Sequence, residues 1–227
     1  MEKDAVVLRR FHNERIDRLV KEDIRDLEPV KDISALEVLA EVLPSKAGSL
    51  FSLNALREDF GVAHKTISQW VEIFERFYYI FRIYPFAATT FKSLRKEPKI
   101  YLWDWSQLNN SAVKLENIVA SHLLKMVHFL RDVYGHRAEL FFLRDREGRE
   151  VDFLIAVDKK PWFAAEVKSG NKRDLKNLNY FSDRLNIPFL YKIIEEPDVD
   201  YIKGRIRIMS ADKFLSGLEF DFYFLIC

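Results

Sequence analysis

Three charged side chains lie in two neighbouring β-prone segments in the second half of the chain, and their types suit metal-assisted hydrolysis. Asp152 stands in the first segment, and Glu166 and Lys168 stand in the second. Side chains alternate along a strand, so Glu166 and Lys168 share one face. If the turn at 158–161 closes an antiparallel hairpin, Asp152 lands opposite Val167, within one residue of both. The spacing therefore predicts that two carboxylates and an amine meet on one patch of a sheet.

Such a patch is costly unless something compensates its charges, and a hard divalent cation does so well. Mg²⁺ prefers oxygen ligands and usually takes one or two carboxylates with waters and substrate phosphate. We expect Asp152, Glu166 and the carbonyl of Val167 to hold Mg²⁺ or Mn²⁺, with Glu116 as a further ligand or as the group that orients the metal-bound water. Lys168 would lie beside the scissile phosphate, place the attacking water and offset negative charge in the transition state.

A second interpretation of the same residues is an ion-pair cluster at a sheet edge. For Glu166 and Lys168 alone this is the more common explanation, since charged pairs on strands are frequent. The added Asp152 at hairpin distance and Glu116 on a predicted helix upstream favour the metal site.

The elements that position these residues predict an α/β domain. Leu115, Val119, Leu123, Met126 and Leu130 recur at helical spacing, and this helix carries Glu116. The order is a helix, three strands, a helix and a strand. The strands are predicted at 140–143, 151–157, 162–168 and 188–194, the second helix at 173–184, and further strands at 100–103 and 220–226.

The first half of the chain is predicted to be mainly helical. After a helix over 6–20 and a connector over 23–29, residues 33–86 indicate three helices and a short hairpin. Ser52 is a suitable N-cap for the second of these helices, and Gly61 is a suitable terminator. A short helix, a Gly turn, a longer helix over 65–78 and a strand over 79–84 follow the order of a winged helix-turn-helix.

A winged helix suggests DNA binding. Lys65, Ser68 and Gln69, at the start of its third helix, would face a groove. The alternative is a packing module that does not touch DNA, because Glu72 and Glu75 leave that helix without a strongly basic face. Further basic residues either bind phosphates or lie in solvated segments: Lys92, Arg95, Lys96 and Lys99 after the hairpin, and Lys172, Arg173 and Lys176 beyond Lys168.

Composition excludes several classes of protein. The 227 residues include 36 basic and 35 acidic side chains, so the chain is not generally polybasic. The single cysteine, Cys227, excludes a disulfide framework and a multi-thiolate zinc site. No signal peptide and no bilayer-spanning apolar run are visible, so a cytoplasmic protein without membrane contact is expected. Two glutamines against many Lys, Arg and Glu residues suggest a thermophile source.

Glu116 on a helix, Asp152, and Glu166-Val167-Lys168 together resemble the core of the PD-(D/E)XK nuclease superfamily. More closely, most of the chain resembles the C-terminal region of an archaeal and bacterial AAA-type ATPase family, in which a winged helix precedes a nuclease-like domain. The segments that carry the resemblance are 99–104 (KIYLWD), 115–120 (LENIVA), 149–153 (REVDF) and 165–168 (AEVK). Ser106 stands where that family often has glycine.

The resemblance implies an N-terminal winged helix-turn-helix followed by a restriction-endonuclease-like αβββαβ domain. It divides the chain into an N-terminal helix and connector (1–32), the winged helix (33–91) and the nuclease-like domain (92–227). No glycine-rich loop ending in Lys-Ser or Lys-Thr is present, so the chain itself carries no ATPase motif.

Two functions are consistent with these features. The first is a DNA-associated protein with a Mg²⁺-dependent phosphodiesterase site, which is part of or related to an AAA-type ATPase and works alone or as a homodimer. The second is a non-catalytic DNA- or protein-binding module that regulates such an ATPase. Calorimetry with Mg²⁺ separates them, because only the first predicts binding of the cation.

Overall fold

The computed structural model describes residues 2–25, 32–87, 96–169 and 175–218. The chain divides into two units, each formed from two stretches of sequence. Unit 1 comprises Met1–Arg82 with Lys99–Asn109, and unit 2 comprises Ile83–Pro98 with Asn110–Cys227. The division into domains at 1–32, 33–91 and 92–227 stays a prediction.

Unit 1 is mainly helical, and its helices begin and end at residues with clear capping roles. The Asp32 side chain accepts a hydrogen bond from the Ala35 amide at 3.0 Å and caps the second helix. Gly61, at φ 62°, ends the third helix in the left-handed conformation that glycine adopts without strain. The helical segments are α1 (Glu2–Arg18), a π-helical turn (Leu19–Ile24), α2 (Ile33–Val42), a 3₁₀ turn (Leu43–Lys46), α3 (Leu53–Phe60) and α4 (His64–Arg76).

Helix α4 has a pronounced apolar side. Ile67, Trp70, Val71, Ile73 and Phe74 are all buried, at the spacing of one helix face. Each large apolar side chain removed from water in this way stabilises the fold by about 1.5–3 kcal/mol. The three predicted helices between 33 and 78 are therefore confirmed.

The strands of unit 1 follow these helices. β1 (Ile80–Pro85) starts in unit 1 and ends in unit 2, and it lies beside β2 (Lys99–Leu102), after which a 3₁₀ turn covers Trp105–Gln107. Within residues 32–87 the structure describes one strand, so the predicted short hairpin is not present there. The three-helix-and-strand order is observed, and the assignment as a winged helix stays a prediction.

Unit 2 combines helices with a mixed sheet. Its elements are α5 (Ser111–Tyr134), β3 (Ala138–Arg144), β4 (Glu150–Val157), β5 (Lys160–Lys168), α6 (Lys176–Leu185), β6 (Phe189–Ile194), β7 (Asp200–Lys203), β8 (Ile206–Ser210) and α7 (Ala211–Gly217). The predicted order of helix, three strands, helix and strand is thus confirmed from α5 to β6. The final two strands and α7 were not foreseen.

The sheet order in unit 2 places the hairpin β4–β5 at the centre. The sequence of neighbours is β1-β3-β4-β5-β6-β8-β7. β3, β4 and β5 are antiparallel, whereas β5, β6 and β8 run parallel to one another. The mixed α/β class predicted from the sequence is confirmed, and the finer restriction-endonuclease-like assignment stays a prediction.

One face of this sheet packs against α6. Leu154 of β4 and Ala164 of β5 belong to the same buried cluster as Leu178 and Phe181 of α6. Asp152 lies two residues from Leu154, and Glu166 lies two residues from Ala164, so both point to this face. The candidate site therefore continues an apolar layer that holds its strands in place.

Three predicted elements extend outside the described residues, and one of them is the helix predicted at 173–184, whose first two residues lie outside. The C-terminal strand at 220–226 lies wholly outside them, and the connector at 23–29 lies partly outside them. Within the described part of the chain, no helix combines the length and the apolar character that crossing a bilayer requires.

Candidate functional site

The hairpin β4–β5 brings the candidate residues together, and its geometry contains one irregularity. Asp158 and Lys159 connect the strands with φ angles of 51° and 67°, as a tight two-residue hairpin turn requires. Ile155 pairs with Phe163, whereas the next residue, Ala156, pairs with Pro161. Trp162 is therefore an extra residue in β5, which is a β-bulge.

The observed register differs from the predicted one by one residue. Phe153 pairs with Ala165, so one step further Asp152 lies opposite Glu166 rather than opposite Val167 as predicted. The prediction of Val167 as the opposite residue was wrong because it placed the turn at 158–161, whereas Val157 pairs with Lys160 across a turn of only two residues. The extra residue Trp162 then offsets this difference in part. Directly opposed residues share a face, so Asp152 and Glu166 are neighbours across the strands.

Asp152 continues the strand pairing with its side chain. Its Oδ2 accepts a hydrogen bond from the backbone amide of Val167 at 2.8 Å, in a buried position. This bond fixes the carboxylate at the end of the paired region. The amide and carbonyl of one strand residue point to the same side, so the Val167 carbonyl also faces β4.

Lys168 lies between the two carboxylates. Its Nζ is 3.2 Å from Glu166 Oε1 and 3.8 Å from Asp152 Oδ2. The carboxylate side chains are less than a tenth exposed, whereas the Lys168 side chain is 45% exposed. The structure therefore brings Asp152, Glu166 and Lys168 together, with the amine on the solvent side.

One oxygen of the Glu166 carboxylate differs from the other in its surroundings. Among the residues that the structure describes, no group donates a hydrogen bond to its buried Oε2. Burial raises the pKa of Glu166, Lys168 and Lys192 oppose that shift, and Asp152 adds to it. A buried carboxylate oxygen with an unused lone pair is a suitable ligand for a cation.

The pKa of Lys168 is also raised, but here the neighbouring charges outweigh the effect of burial. Burial disfavours its charged form, but the negative charges of Asp152 and Glu166 outweigh this effect and raise its pKa. Lys168 is therefore a charged ammonium at neutral pH.

Lys192 is a site neighbour that the sequence analysis missed. It stands on β6 in register with Glu166 and is only 1% exposed. Adjacent strands in register point their side chains to the same face, so a second amine lies beside the Glu166 carboxylate. The available signal was a lysine within the otherwise apolar segment 189–194.

Glu116 approaches the site from helix α5. Asn110 caps that helix by accepting hydrogen bonds from the amides of Ala112 and Val113 at 3.0 and 3.2 Å. Glu116 is half-buried, and its charge contributes to the raised pKa of Lys168. Among the described residues, however, no three His, Cys, Asp or Glu side chains form a metal-binding group. The role of Glu116 as a ligand stays a prediction.

The predicted DNA-contacting residues lie on two helices. Lys65 and Gln69 are exposed on α4, and the Ser68 hydroxyl donates to Glu72 at 3.1 Å. Lys176 is exposed at the start of α6. Lys172 and Arg173 lie outside the described residues, as do Lys92 and Arg95 of the predicted basic run.

Two family models match the chain, and they divide it near the start of α5. Residues 114–214, which include the whole candidate site, match a domain of unknown function named DUF4143. No curated protein and no solved structure matches the chain. The other family model, a domain of unknown function named DUF8612, matches residues 2–117. Because this match spans more than half of its length, the chain belongs to the DUF8612 family.

Proposed function

We propose that this protein is a Mg²⁺- or Mn²⁺-dependent phosphodiesterase that acts on DNA. The observation that carries the proposal is the convergence of two buried carboxylates beside the ammonium of Lys168; one of their oxygens has no hydrogen-bond partner in the described part of the chain. Asp152 and Glu166 come from different strands and meet only through the fold. An ordinary ion pair at a strand edge is exposed, and water solvates its oxygens. Such a pair would not explain a buried carboxylate oxygen without a hydrogen-bond partner.

The residues present fit a divalent cation of the Mg²⁺ type. Asp152, Glu166 and the Val167 carbonyl would hold it, and Glu116 would serve as a further ligand or orient a coordinated water. Mg²⁺ is often bound by one or two carboxylates, so a third acidic side chain is not required. When bound, the cation would lower the pKa of a coordinated water and stabilise the leaving oxygen.

The chain's own residues would perform the remaining tasks. Lys168, which is charged and partly exposed, would contact the scissile phosphate and offset the negative charge that develops on its oxygens. The hydrogen bond from Val167 holds Asp152 in one orientation, and Glu166 is kept in place by burial. Orientation by fixed groups of this kind lowers the entropic barrier of hydrolysis.

DNA as the substrate is supported by residues outside the carboxylate pair. Lys176 is exposed at the start of α6, which follows β5. Lys65 and Gln69 are exposed on α4, where a winged helix would contact a groove. The match of residues 114–214 to DUF4143, a domain often associated with ATPases, supports a role beside an ATPase domain or partner ATPase.

The test is cleavage of plasmid and branched DNA by the full chain with Mg²⁺ or Mn²⁺. Wild-type protein and Lys203→Ala, a change at an exposed lysine of β7, should cut, whereas Asp152→Ala and Lys168→Ala should not. Equal amounts of cleaved DNA from all four proteins, or no cleavage by the wild type, would contradict the proposed catalysis.

A second candidate is a non-catalytic DNA- or protein-binding module of an ATPase. It is favoured by the absence, among the described residues, of a three-acid metal group and by the ammonium that already neutralises the carboxylates. Titration of the protein with Mg²⁺ in a calorimeter separates the two functions. A titration without heat, together with retained DNA binding, would favour the module.

A further inference from the structure

Lys168 lies beside both carboxylates of the proposed metal site, where it would affect the binding of a metal ion as well as of a phosphate. Its Nζ lies within 4 Å of an oxygen from each of the two carboxylates that would hold the metal. A divalent cation bound by the same two groups would need oxygens from both at about 2 Å. A metal ion on Glu166 Oε2 and on Asp152 would lie next to the ammonium on Glu166 Oε1, and two cations held that close by the same two carboxylates repel each other.

We propose that Lys168 acts as an internal cation that occupies the carboxylate pair, and that a divalent metal ion binds by displacing it. The inference rests on the proposed function and adds an order of events to it. The ammonium leaves the carboxylates when the metal ion arrives, and only then becomes available to an anionic phosphate. Lys168 would thus lower the affinity of the site for metal while serving the reaction.

The local structure permits this displacement for Lys168 and not for the other nearby amine. Lys168 is the last residue of β5, and its side chain is 45% exposed, so the ammonium can turn into solvent without breaking strand pairing. Lys192 is 1% exposed within β6. It therefore stays beside Glu166 whichever cation is bound.

Displacement also accounts for the charge balance of the site. Asp152 and Glu166 are buried anions, and Lys168 and Lys192 compensate them when no metal ion is bound. Exchange of one ammonium for a divalent ion adds one positive charge next to the exposed side of the site. That added charge attracts a phosphodiester, whose charge is negative.

The decisive measurement is the affinity of the full chain for Mn²⁺, followed by calorimetry and by the electron paramagnetic resonance of free Mn²⁺. Lys168→Gln removes the competing charge while keeping a polar side chain of similar length. We expect it to bind Mn²⁺ about tenfold more tightly than the wild type, the effect of losing one moderate ion pair. Circular dichroism verifies that the variant is folded.

Two matched variants test the cause. Lys168→Arg keeps a cation at the same position, so its Mn²⁺ affinity should stay close to that of the wild type. Lys203→Gln removes an exposed lysine from β7 and should also leave the affinity unchanged. If Lys168→Arg tightened binding as much as Lys168→Gln, the effect would be steric, and displacement of a charge would be excluded.

Chemical labelling gives an independent readout. Modification of Lys168 by an amine-reactive ester, measured by mass spectrometry, should increase several-fold when Mn²⁺ is added, while modification of Lys203 stays constant. Wild-type protein that binds Mn²⁺ without either the Lys168→Gln gain or the labelling change would overturn the displacement alone. Absence of Mn²⁺ binding by every variant would overturn the proposed metal site and the displacement together.

Discussion

Asp152 has a structural role and a proposed metal-binding role, and different substitutions should affect the two roles differently. It accepts the buried Val167 amide, and it supplies one of the two candidate carboxylates. The first role is structural and needs only an oxygen acceptor, whereas the second needs a negative charge. Replacements that keep the acceptor but remove the charge can therefore distinguish stability from metal binding.

We predict that Asp152→Ala lowers the free energy of unfolding by about 1–3 kcal/mol, because it leaves the Val167 amide buried without its acceptor. Asp152→Asn keeps an acceptor oxygen and should cost less than half as much. Both should lose Mn²⁺ binding. Urea denaturation and calorimetry measure the two effects, and equal destabilisation by both variants would show that the hydrogen bond contributes little.

The buried pair of Glu166 and Lys192 should be energetically coupled. Lys192→Met and Glu166→Gln each remove one charge beside a buried opposite charge, so each should destabilise by about 3–5 kcal/mol. The double variant should cost at least about 1 kcal/mol less than the sum. Asp132→Asn, an exposed change on α5, serves as the control and should add to Lys192→Met without coupling.

Because of Tyr79, we predict that unit 1 becomes less stable at alkaline pH. Its hydroxyl lies 2.8 Å from the Ala40 carbonyl oxygen and 2.9 Å from Gln107 Oε1, and these two acceptors share its single hydrogen. Burial raises the pKa of Tyr79 in the folded chain above its ordinary value of 10.0. The unfolded chain therefore loses this proton first, so the stabilisation is complete below pH 10 and falls as the pH rises above it.

Tyr79→Phe should remove that alkaline decline and cost about 1 kcal/mol at pH 7 through the lost hydrogen bond. Tyr201→Phe, at a tyrosine that is 42% exposed, is the matched control and should leave the wild-type profile in place. Urea unfolding between pH 7 and pH 11 measures both. A wild-type slope retained in Tyr79→Phe would contradict the assignment.

At the scale of elements, the sequence predicted best those features that are determined within one helix or across one short turn. Apolar side chains at helical spacing and the Gly61 terminator placed α2, α3 and α4 correctly, because these signals act within one element. The meeting of Asp152 with Glu166 and Lys168 was also foreseen, since one tight turn connects β4 and β5. The residue opposite Asp152 was missed, because the turn was predicted over 158–161 and in the structure only two residues lie between the paired Val157 and Lys160.

Lys192 and the last two strands were missed for a related reason. The position of Lys192 next to Glu166 depends on the parallel pairing of β5 with β6, which no short turn fixes. All four residues of β7 are exposed, so that strand lacks the alternation of buried and exposed side chains that reveals strands in a sequence. Long-range pairing thus limited the prediction more than local preference did.

The N-terminal cap of α5 offers a prediction at this scale. Asn110→Ala removes the acceptor for the Ala112 and Val113 amides and should destabilise by about 1 kcal/mol. Its neighbour Asn109 is exposed and lies before the cap, so Asn109→Ala should change stability by less than about 0.5 kcal/mol. Urea denaturation measures both, and similar values for the two variants would exclude a capping role for Asn110.

At the scale of the whole molecule, the proposed metal site should couple ligand binding to thermal stability. A cation that binds only the folded chain stabilises it by about 2.7 kcal/mol at a concentration of 100 times its Kd. For a chain of this size the melting temperature should then rise by roughly 5–10 °C. Differential scanning calorimetry with and without Mn²⁺ measures the shift.

Asp152→Asn should abolish the Mn²⁺-dependent shift, and Lys203→Gln should preserve it. Calcium, which is larger and prefers six to eight oxygens, should stabilise the wild type less than Mn²⁺ does. An equal rise in both variants would place the stabilising cation elsewhere on the chain.

The bulge at Trp162 separates two parts of β5 that differ in how they tolerate a change of length. The residues on either side of Trp162 already pair with adjacent residues of β4, so loss of the codon for Trp162 would remove the bulge and leave Asp152 opposite Glu166. Loss of a codon between Phe163 and Glu166 would instead shift the pairing by one residue and turn Glu166 and Lys168 away from Asp152. In natural variation and in mutant libraries, deletions between Phe163 and Glu166 should therefore be far less tolerated than deletion of Trp162.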